Sequence, residues 1–443
     1  MPDQTDTAPK TNHPDGHIDS WYAHNAVIDA PRPAVTQNCQ ADTLVIGGGL
    51  AGLSTAAELA QRGQDVTLIE GDRLGWAASG RNGGFCSPNF ARGMASIEAK
   101  LGLDHAKELF DLSVLGVELV RGRIKGWGLE DQLIQGNGWL KVARTDTTEA
   151  FARQAERDRE VFGRDLALHD RDSLRSLLKT DRYHVALEDK TPFHMQPLSY
   201  IQHLARQAEA DGAVLHENTR AHRLTQQGSG WQVETANGHK ITARNIVLCL
   251  SAYGRLCGVV DRAVLPVATY VVTSTPLTQA QQQVIRYGGC IADTRRAGDY
   301  YRIIPSPEGP RLLWGGRVTT RTSQPTRLAA MLTSDIAKVY PDFKGLQVSH
   351  VWSGLMGYCV HKMPLIGELK PGLWVATGFG GHGLNTTAMA GHLVGTGIAE
   401  QDDRWKLFTP FSTTWGGGPV GRIATQVEYW RLQMLDKIGE LKS

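Results

Sequence analysis

Long apolar runs are missing from this chain of 443 residues, and so is any block of one charge sign. No stretch approaches the ~20 apolar residues that a membrane-spanning helix needs. The opening MPDQTDTAPKTNHPDGHIDSWY also lacks the apolar centre of a signal peptide. The cytoplasm is therefore the expected location. Lys and Arg total 47 against 45 Asp and Glu, with no basic run to track a phosphate backbone, so a nucleic-acid partner has no electrostatic support. Cys39, Cys86, Cys249, Cys257, Cys290 and Cys359 are scattered, with no CxxC pair and no His spacing of the zinc or iron–sulfur kind. No metal is expected, and a reducing compartment fits. A composition of 41% hydrophobic and 21% charged residues sets aside disordered and fibrous classes and suits two interleaved domains.

What is present begins with an arm over residues 1–40, rich in Pro and small polar residues, which Trp21 and Tyr22 pin. From Ala41 the pattern changes to an apolar strand (TLVIG), a glycine turn, a helix with Leu53, Ala56, Ala57 and Ala60 on one side, and a second strand, Asp65 to Glu70. Between Met94 and Lys190 helical spacing dominates: Ala106, Leu109, Phe110, Val117, Val120 and Ile124 form one stripe, and Thr147 to Phe162 form a second helix. A strand from Gly138 to Val142 lies between them. Another α/β unit starts at Pro197, with a helix to Ala210, a stop at Gly212 and a strand from Ala213 to Glu217. WQVETA and HKITA then read as a hairpin about Asn237-Gly238, followed by a buried strand, NIVLCL. PVATYVVTS, DYYRIIP and RLLWGG read as antiparallel strands, with a helix from Arg327 to Tyr340 after them. The last signals are the strand LWVATG, the turn GFGGHG, a helix from Leu384 to Glu400, and an amphipathic helix near Val427 to Leu435.

The strongest local motif is Gly47-Gly48-Gly49-Leu50-Ala51-Gly52, which fits GxGxxG after a strand and before a helix. Such glycines serve a tight turn, close approach to a pyrophosphate and close helix packing, and the helix N-terminus favours the phosphate charge. Glu70 ends the second strand, where a carboxylate can accept both ribose hydroxyls. The motif points to a dinucleotide without choosing between NAD and FAD. A second small-residue loop, Gly75 to Phe85, contains Ser79, Arg81, Asn82, Gly83 and Gly84, and lets backbone pass close to a flat ring. A third cluster, Gly378 to Gly383, opens a helix whose N-terminus would stabilise negative charge at its tip.

In register, VIGGGLAGLS, ASGRNGG, MQPLSYIQHLARQAEADGA, DYYRIIP, HVWSGLMG, MPLIGEL and TGFGGHGLNTTAMAGHL resemble the flavin-dependent amine and D-amino-acid oxidase superfamily. The ASGRNGG loop, the YYR strand, the WSG and the GHG turn resemble its gamma-glutamylputrescine oxidoreductase branch. The resemblance implies an α/β fold: an FAD-binding Rossmann-like domain of the glutathione-reductase type, interleaved with an α+β substrate domain on an antiparallel sheet. The implied FAD domain is residues 41–95, 196–262 and 351–410, the substrate domain is 96–195 and 263–350, and 411–443 is a C-terminal helical segment. Gly47, Gly49, Leu50, Ala51 and Gly52 would hold the pyrophosphate and Glu70 the ribose. Ser79, Arg81, Asn82, Gly83 and Gly84 would face the ribityl and ring side, with Ala221, Ser251 and Ala252 at the adenosine. Gly354 and Gly380, Gly381, His382 and Gly383 would flank the ring.

The implied chemistry is hydride transfer from the carbon beside a neutral amine to flavin N5, giving an imine that water hydrolyses, with O2 as acceptor. An alternative is a D-amino-acid-type dehydrogenase passing electrons to a quinone or other carrier; a flavin-binding assembly protein without turnover is another. Departures from the sarcosine oxidases sharpen the expectation. Gly354 stands where those enzymes carry a flavin-linked cysteine, so FAD is expected to be non-covalent, and Asn385 replaces a lysine that grips the substrate carboxylate. RLLWGG lacks the lysine that helps oxygen react. Tyr300, Arg302, Trp352 and His382 are the candidate catalytic residues, with His194 a further substrate contact and His361 and Lys362 surface residues. Strand alternation puts Tyr300 and Arg302 on one face and Tyr301 on the other.

Overall fold

The computed structural model describes residues 13–295 and 298–442; the first residues of the expected arm lie outside this range. Strand Cys39–Ile46 is the centre of the first sheet. It pairs in parallel with Val66–Ile69 on one side and Lys240–Leu248 on the other. The order across the sheet is Leu365–Lys370, Leu373–Thr377, Lys240–Leu248, Cys39–Ile46, Val66–Ile69, Val214–His216, and the hairpin Ala221–Gln227/Gly230–Thr235 hangs from the start of Lys240–Leu248. HKITA and NIVLCL are thus one continuous strand rather than two, because Cys39–Ile46 pairs along both halves, with the hairpin on the other side of the first half and Leu373–Thr377 on the other side of the second.

The chain leaves Cys39–Ile46 through a turn that only glycine permits. Gly47 has φ +114°, and a Cβ at Gly52 would lie 1.8 Å from the Gly47 carbonyl oxygen, so helix Leu50–Gln61 packs directly onto the turn. That helix is buried along nearly its whole length. Its neighbours are helices Pro197–Ala210, Leu103–Gly126 and Gly383–Glu400. The last approaches through glycines: a Cβ at Gly391 would meet the Ser54 Cβ at 2.6 Å, and one at Gly395 the Glu58 Cβ at 2.7 Å. Burying an aliphatic side chain such as Leu53 or Leu59 contributes about 1.5–3 kcal/mol.

The second sheet runs Val348–Tyr358, Leu265–Ser274, Arg311–Thr319, Tyr300–Ile304, Cys290–Asp293, Ile134–Ala143, Val185–Met195, Phe85–Cys86. It is antiparallel except where Cys290–Asp293 runs parallel to Ile134–Ala143. Tyr301 stacks on Trp314 with ring centroids 4.1 Å apart, and its hydroxyl meets those of Tyr340 at 2.8 Å and Tyr183 at 3.1 Å. That polar cluster sits inside the second core, away from Tyr300 and Arg302, as alternation requires.

Two expected boundaries shift. Val348–Tyr358 pairs along its length with Leu265–Ser274, so the boundary at 351 falls inside a strand of the second sheet. Helix Leu103–Gly126, expected with the substrate domain, packs its apolar stripe into the core of the first. A Cβ at Gly116 would lie 2.3 Å from the Asn385 carbonyl oxygen, which locks this helix to Gly383–Glu400. The arm is not wholly extended: Trp21–Asn25 is a short helix with Ser20 as N-cap, and Trp21 and Tyr22 are buried. The C-terminal helix is longer than its apolar spacing indicated, spanning Gly418–Lys442.

Glu58 joins these helices. Its carboxylate accepts from Arg62 at 2.8 Å and Arg123 at 2.8 Å and lies 3.0 Å from His392. Burial alone would raise its carboxyl, but His392, Arg123 and Arg62 outweigh it and hold it at about 2. A lowered carboxyl gives stability that is present above its ordinary 4.5 and is lost as pH falls through the folded value. Glu58→Gln should therefore cost about 3 kcal/mol near pH 7 in urea unfolding, from the 1.36 kcal/mol carried by each unit. The difference from the parent should shrink as pH falls below 4.5. A pH-independent loss under about 1 kcal/mol, the scale of an exposed pair, would contradict this role.

Candidate functional site

The first two glycine clusters touch through Ser79 and Leu50, and the third packs on the strand Val348–Tyr358. Gly47–Gly52 lies at the carboxyl end of the central parallel strand, which is where ligands sit in open α/β sheets. The carboxylate of Glu70, one strand over, accepts from the Gly48 amide at 2.6 Å and the Asp72 amide at 2.9 Å. These bonds fix the carboxylate beside the helix N-terminus and leave lone pairs for further donors. Burial pushes the Glu70 carboxyl up, against the pull of those two amides. The Thr219 amide donates to the Glu70 carbonyl at 2.7 Å, placing the hairpin that starts at Ala221 on the same side. Ser251 and Ala252 follow the neighbouring strand and pack against Gly357, while the Ser251 amide donates to Thr377 Oγ1 at 3.0 Å.

The second loop bridges the turn and the other sheet. Ser79 Oγ accepts from the Leu50 amide at 3.0 Å and would lie 2.7 Å from a Cβ at Gly49. Asn82 folds the loop on itself, donating to the Ser79 carbonyl at 2.7 Å and accepting from the Gly84 amide at 2.8 Å. Gly83 lies under the Tyr300 ring and Gly84, at φ +79°, under Arg302. Across from it, Gly354 faces Arg81, whose Cβ is the nearest atom to a Cβ built there, at 3.5 Å. The third cluster packs on Tyr358: a Cβ at Gly380 would meet Tyr358 Cε1 at 2.7 Å, and one at Gly381 the Tyr358 hydroxyl at 3.1 Å.

Arg81 is the clearest sign that the protein groups here are incomplete by themselves. It is buried, donates from Nε to the Trp76 carbonyl at 2.6 Å and lies over the Trp76 ring at 4.2 Å. Both of its terminal nitrogens, and the Trp76 indole nitrogen, lack a partner among the described residues. Burial lowers the Arg81 pKa. A buried cation with unmet donors costs several kcal/mol unless another group satisfies it. The glycine cradle, the fixed carboxylate and this orphaned guanidinium together fit a large flat cofactor with an anionic linker.

Three expected substrate contacts are placed differently. Arg302 is fully buried: Nε donates to the Gly83 carbonyl at 2.8 Å, Nη1 to Gln135 Oε1 at 2.6 Å and His194 Nδ1 at 2.7 Å, and Nη2 to the Met195 carbonyl at 2.8 Å and the Tyr22 hydroxyl at 3.2 Å. All five donors of the guanidinium are used, so it has none for a substrate anion. His194 is the acceptor partner of that cation, and its Nε2–H donates to the Gly288 carbonyl at 2.9 Å. Burial and then the Arg302 charge hold its pKa well below the usual 6.5. Trp352 is buried and donates from its indole to the Arg81 carbonyl at 2.9 Å; it fixes the loop. His382, half-buried at the head of helix Gly383–Glu400, is pushed down to about 4 by burial and is neutral near pH 7. His361, as expected, is a loop residue, with Nε2 at 3.1 Å from the Ser412 carbonyl oxygen.

Tyr300 does face the second loop. Its ring packs edge-to-face with Phe85 at 5.7 Å and its hydroxyl lies 3.1 Å from Thr269 Oγ1. Phe85, Tyr358 and Tyr22 were not foreseen as parts of the site. Phe85 follows the glycine pair directly, which is a signal after the fact; Tyr358 and Tyr22 arrive by strand pairing and arm docking, which leave no local mark. Asn385 is buried in the helix packing, donating to the Asn89 carbonyl at 3.3 Å and the Ser113 carbonyl at 3.2 Å.

A dinucleotide-type sheet with a parallel centre and its glycine turn, joined through the Gly75–Phe85 loop to a mostly antiparallel second sheet, is the arrangement of a flavoprotein oxidoreductase fold. Residues 42–396 match the family described as FAD dependent oxidoreductase (DAO), and the chain belongs to that family; it is an enzyme and its cofactor is FAD. It is 29% identical over 396 residues to the gamma-glutamylputrescine oxidoreductase of Escherichia coli, covering 88% of this chain and 91% of the relative. It is 27% identical over 429 residues to the probable oxidoreductase OrdL of Haemophilus influenzae, covering 95% and 98%. The glycine oxidase of Geobacillus kaustophilus shares the fold with a TM-score of 0.69 at 21% identity, over 85% of this chain and 98% of that one. Among the described residues no helix is long and apolar enough to cross a membrane.

Arg81 generates a test with opposite signs in two states. Arg81→Met should weaken FAD binding at least about tenfold, or 1.4 kcal/mol, while leaving the FAD-free protein as stable as the parent or more so, since an unmet buried charge is removed. Calorimetric titration and thermal melts of both forms check this. Equal destabilisation of both forms would make Arg81 a structural residue only.

Proposed function

We propose that the chain oxidises the C–N bond of a small primary or secondary amine, of the gamma-glutamylputrescine kind, in which the reacting amine is remote from any carboxylate. The observation behind this reading is that neither Arg302 nor position 385 offers a free cation to a substrate carboxylate. Arg302 spends every donor on the protein, and position 385 holds a buried asparagine rather than a cation. What remains around Gly83 is aromatic, Tyr300 against Phe85 and Phe85 against Trp139 at 5.4 Å.

In this reading Gly47, Gly49, Leu50, Ala51 and Gly52 hold the pyrophosphate of FAD, Glu70 the ribose, and Ser79 to Gly84 the ring side, with Arg81 meeting an acceptor of the cofactor. Bound FAD supplies the hydride acceptor for the carbon beside the amine. The aromatic walls strip water from the amine and favour its neutral form, since burying an unpaired ammonium is costly. Orienting that carbon is a matter of a rigid wall, which Arg302 and Trp352 provide by fixing the loop from behind. No protein base is required when the amine enters neutral, and the lowered His382 suits a role without proton transfer. O2 is the proposed acceptor and FAD is held without a covalent bond: Gly354 offers no thiol, and Cys359 is buried against Gly378 with its thiol pushed up to about 12 by burial.

The test is anaerobic bleaching of the flavin absorbance by a panel of amines and amino acids, followed by admission of air and measurement of peroxide. Amines without a neighbouring carboxylate should bleach fastest, and air should restore the colour with one peroxide formed per flavin. Faster bleaching by α-amino acids would overturn the substrate class, and restoration only by a quinone or dye would overturn the acceptor. Acid precipitation should release all the yellow colour into solution; colour kept in the pellet would contradict non-covalent binding.

A further inference from the structure

The N-terminal arm brings a set of metal-type ligands against the edge of the second sheet. Asp19 precedes the short helix Trp21–Asn25, His24 is near its end, and His350 lies on the edge strand Val348–Tyr358. One ligand atom from each of the three lies within 4.8 Å of those of the other two. His24 Nε2 is already 2.9 Å from Asp19 Oδ1, and the rings of His24 and His350 lie 4.6 Å apart at 52°. His350 Nδ1 is buried and has no partner among the described residues. The ring of His13 adds a third imidazole, 4.9 Å from that of His24.

We propose that Asp19, His24 and His350 form a site for a zinc-type divalent metal ion that fastens the arm to the edge strand. The donor set selects the metal class: imidazole nitrogens with one carboxylate suit zinc and its neighbours, whereas calcium and magnesium demand oxygen. Tetrahedral bonds of about 2.0–2.1 Å need ligand atoms roughly 3.3 Å apart, so small side-chain rotations bring this set into place. The fourth position falls to water or to His13. Arg311 opposes a cation here, lying over Trp21 at 4.2 Å, but it is itself paired with Glu308 at 2.6 Å and bonded to the Ser274 carbonyl at 3.0 Å. Sequence spacing does not reveal the set, because His350 comes from a distant part of the chain.

The consequence reaches the flavin site through packing. Tyr22, between the two arm ligands, accepts from Arg302 and lies edge-to-face on Trp352 at 5.3 Å, and Trp352 is two residues beyond His350. A bound ion would hold down the side chains that fix the Arg81–Gly84 loop. The experiment uses untagged holoenzyme, stripped with EDTA, desalted, incubated with zinc sulfate and gel-filtered before zinc is counted by mass spectrometry. The parent should retain one zinc per chain and melt at a higher temperature with zinc than without. Asp19→Asn and His24→Gln, both at exposed positions, should bind zinc at least about tenfold more weakly and lose the zinc-dependent rise in Tm, with flavin absorbance intact. A parent that retains no zinc, or variants that retain it as well as the parent, would overturn the site.

Discussion

The buried guanidinium of Arg302 is the constraint on which the site's shape depends. It carries a charge into the interior with no carboxylate among its bonded partners in the described residues, and neutral acceptors from four segments share it: the arm through Tyr22, the Gly75–Phe85 loop through Gly83, the strand Ile134–Ala143 through Gln135, and Val185–Met195 through His194 and Met195. Charge-assisted bonds of this kind are worth about 1.5–3 kcal/mol each, enough in sum to offset the loss of hydration. Because the fork is planar and rigid, it also fixes directions. The Gly83 carbonyl has one position, and Tyr300, two residues before Arg302 on the same face, is thereby set against that loop.

The same economy of polar groups marks the rest of the interior. Glu58 ties three helices, and Glu217 gathers Arg73 at 3.0 Å, the Leu74 amide at 2.6 Å and the Arg32 amide at 2.7 Å, fastening the arm to the segment that follows Glu70. In both cases the acid has several donors, the condition under which a buried charge is tolerated. Arg81 departs from this pattern: it is a buried cation both of whose end nitrogens lack a partner among the described residues. It lies in the loop that joins the glycine cradle to the second sheet, which is where an FAD-binding chain needs a donor for something other than itself.

Much of this was legible in the sequence where the signal is local. The strand, glycine turn, helix and acid from Val45 to Glu70 follow from period and turn chemistry, and the alternation in Tyr300-Tyr301-Arg302 holds, with Tyr301 in the second core and Tyr300 and Arg302 on the opposite face. What was not legible depends on pairing between distant segments. Trp352 and Arg302 carry the residue types of a substrate pocket, and only the folded chain shows that the Trp352 indole points at the Arg81 carbonyl and that Arg302 spends its donors on carbonyls and side chains of the protein. Helix Leu103–Gly126 shows its apolar stripe in sequence but not which core receives it; the close approach at Gly116 decides that. The role of Tyr22 required the arm to fold back, which no periodicity encodes.

The central claim is that Arg302 shapes the site from behind and does not bind the substrate. It is tested most directly by anaerobic stopped-flow reduction of an Arg302→Lys holoenzyme with two amines of similar size, one bearing a carboxylate beside the amine and one not. Loss of the fork should slow both by the same factor, leaving the ratio of their rates at the parent value. A loss confined to the carboxylate-bearing amine would show that Arg302 meets the substrate, and would contradict the account.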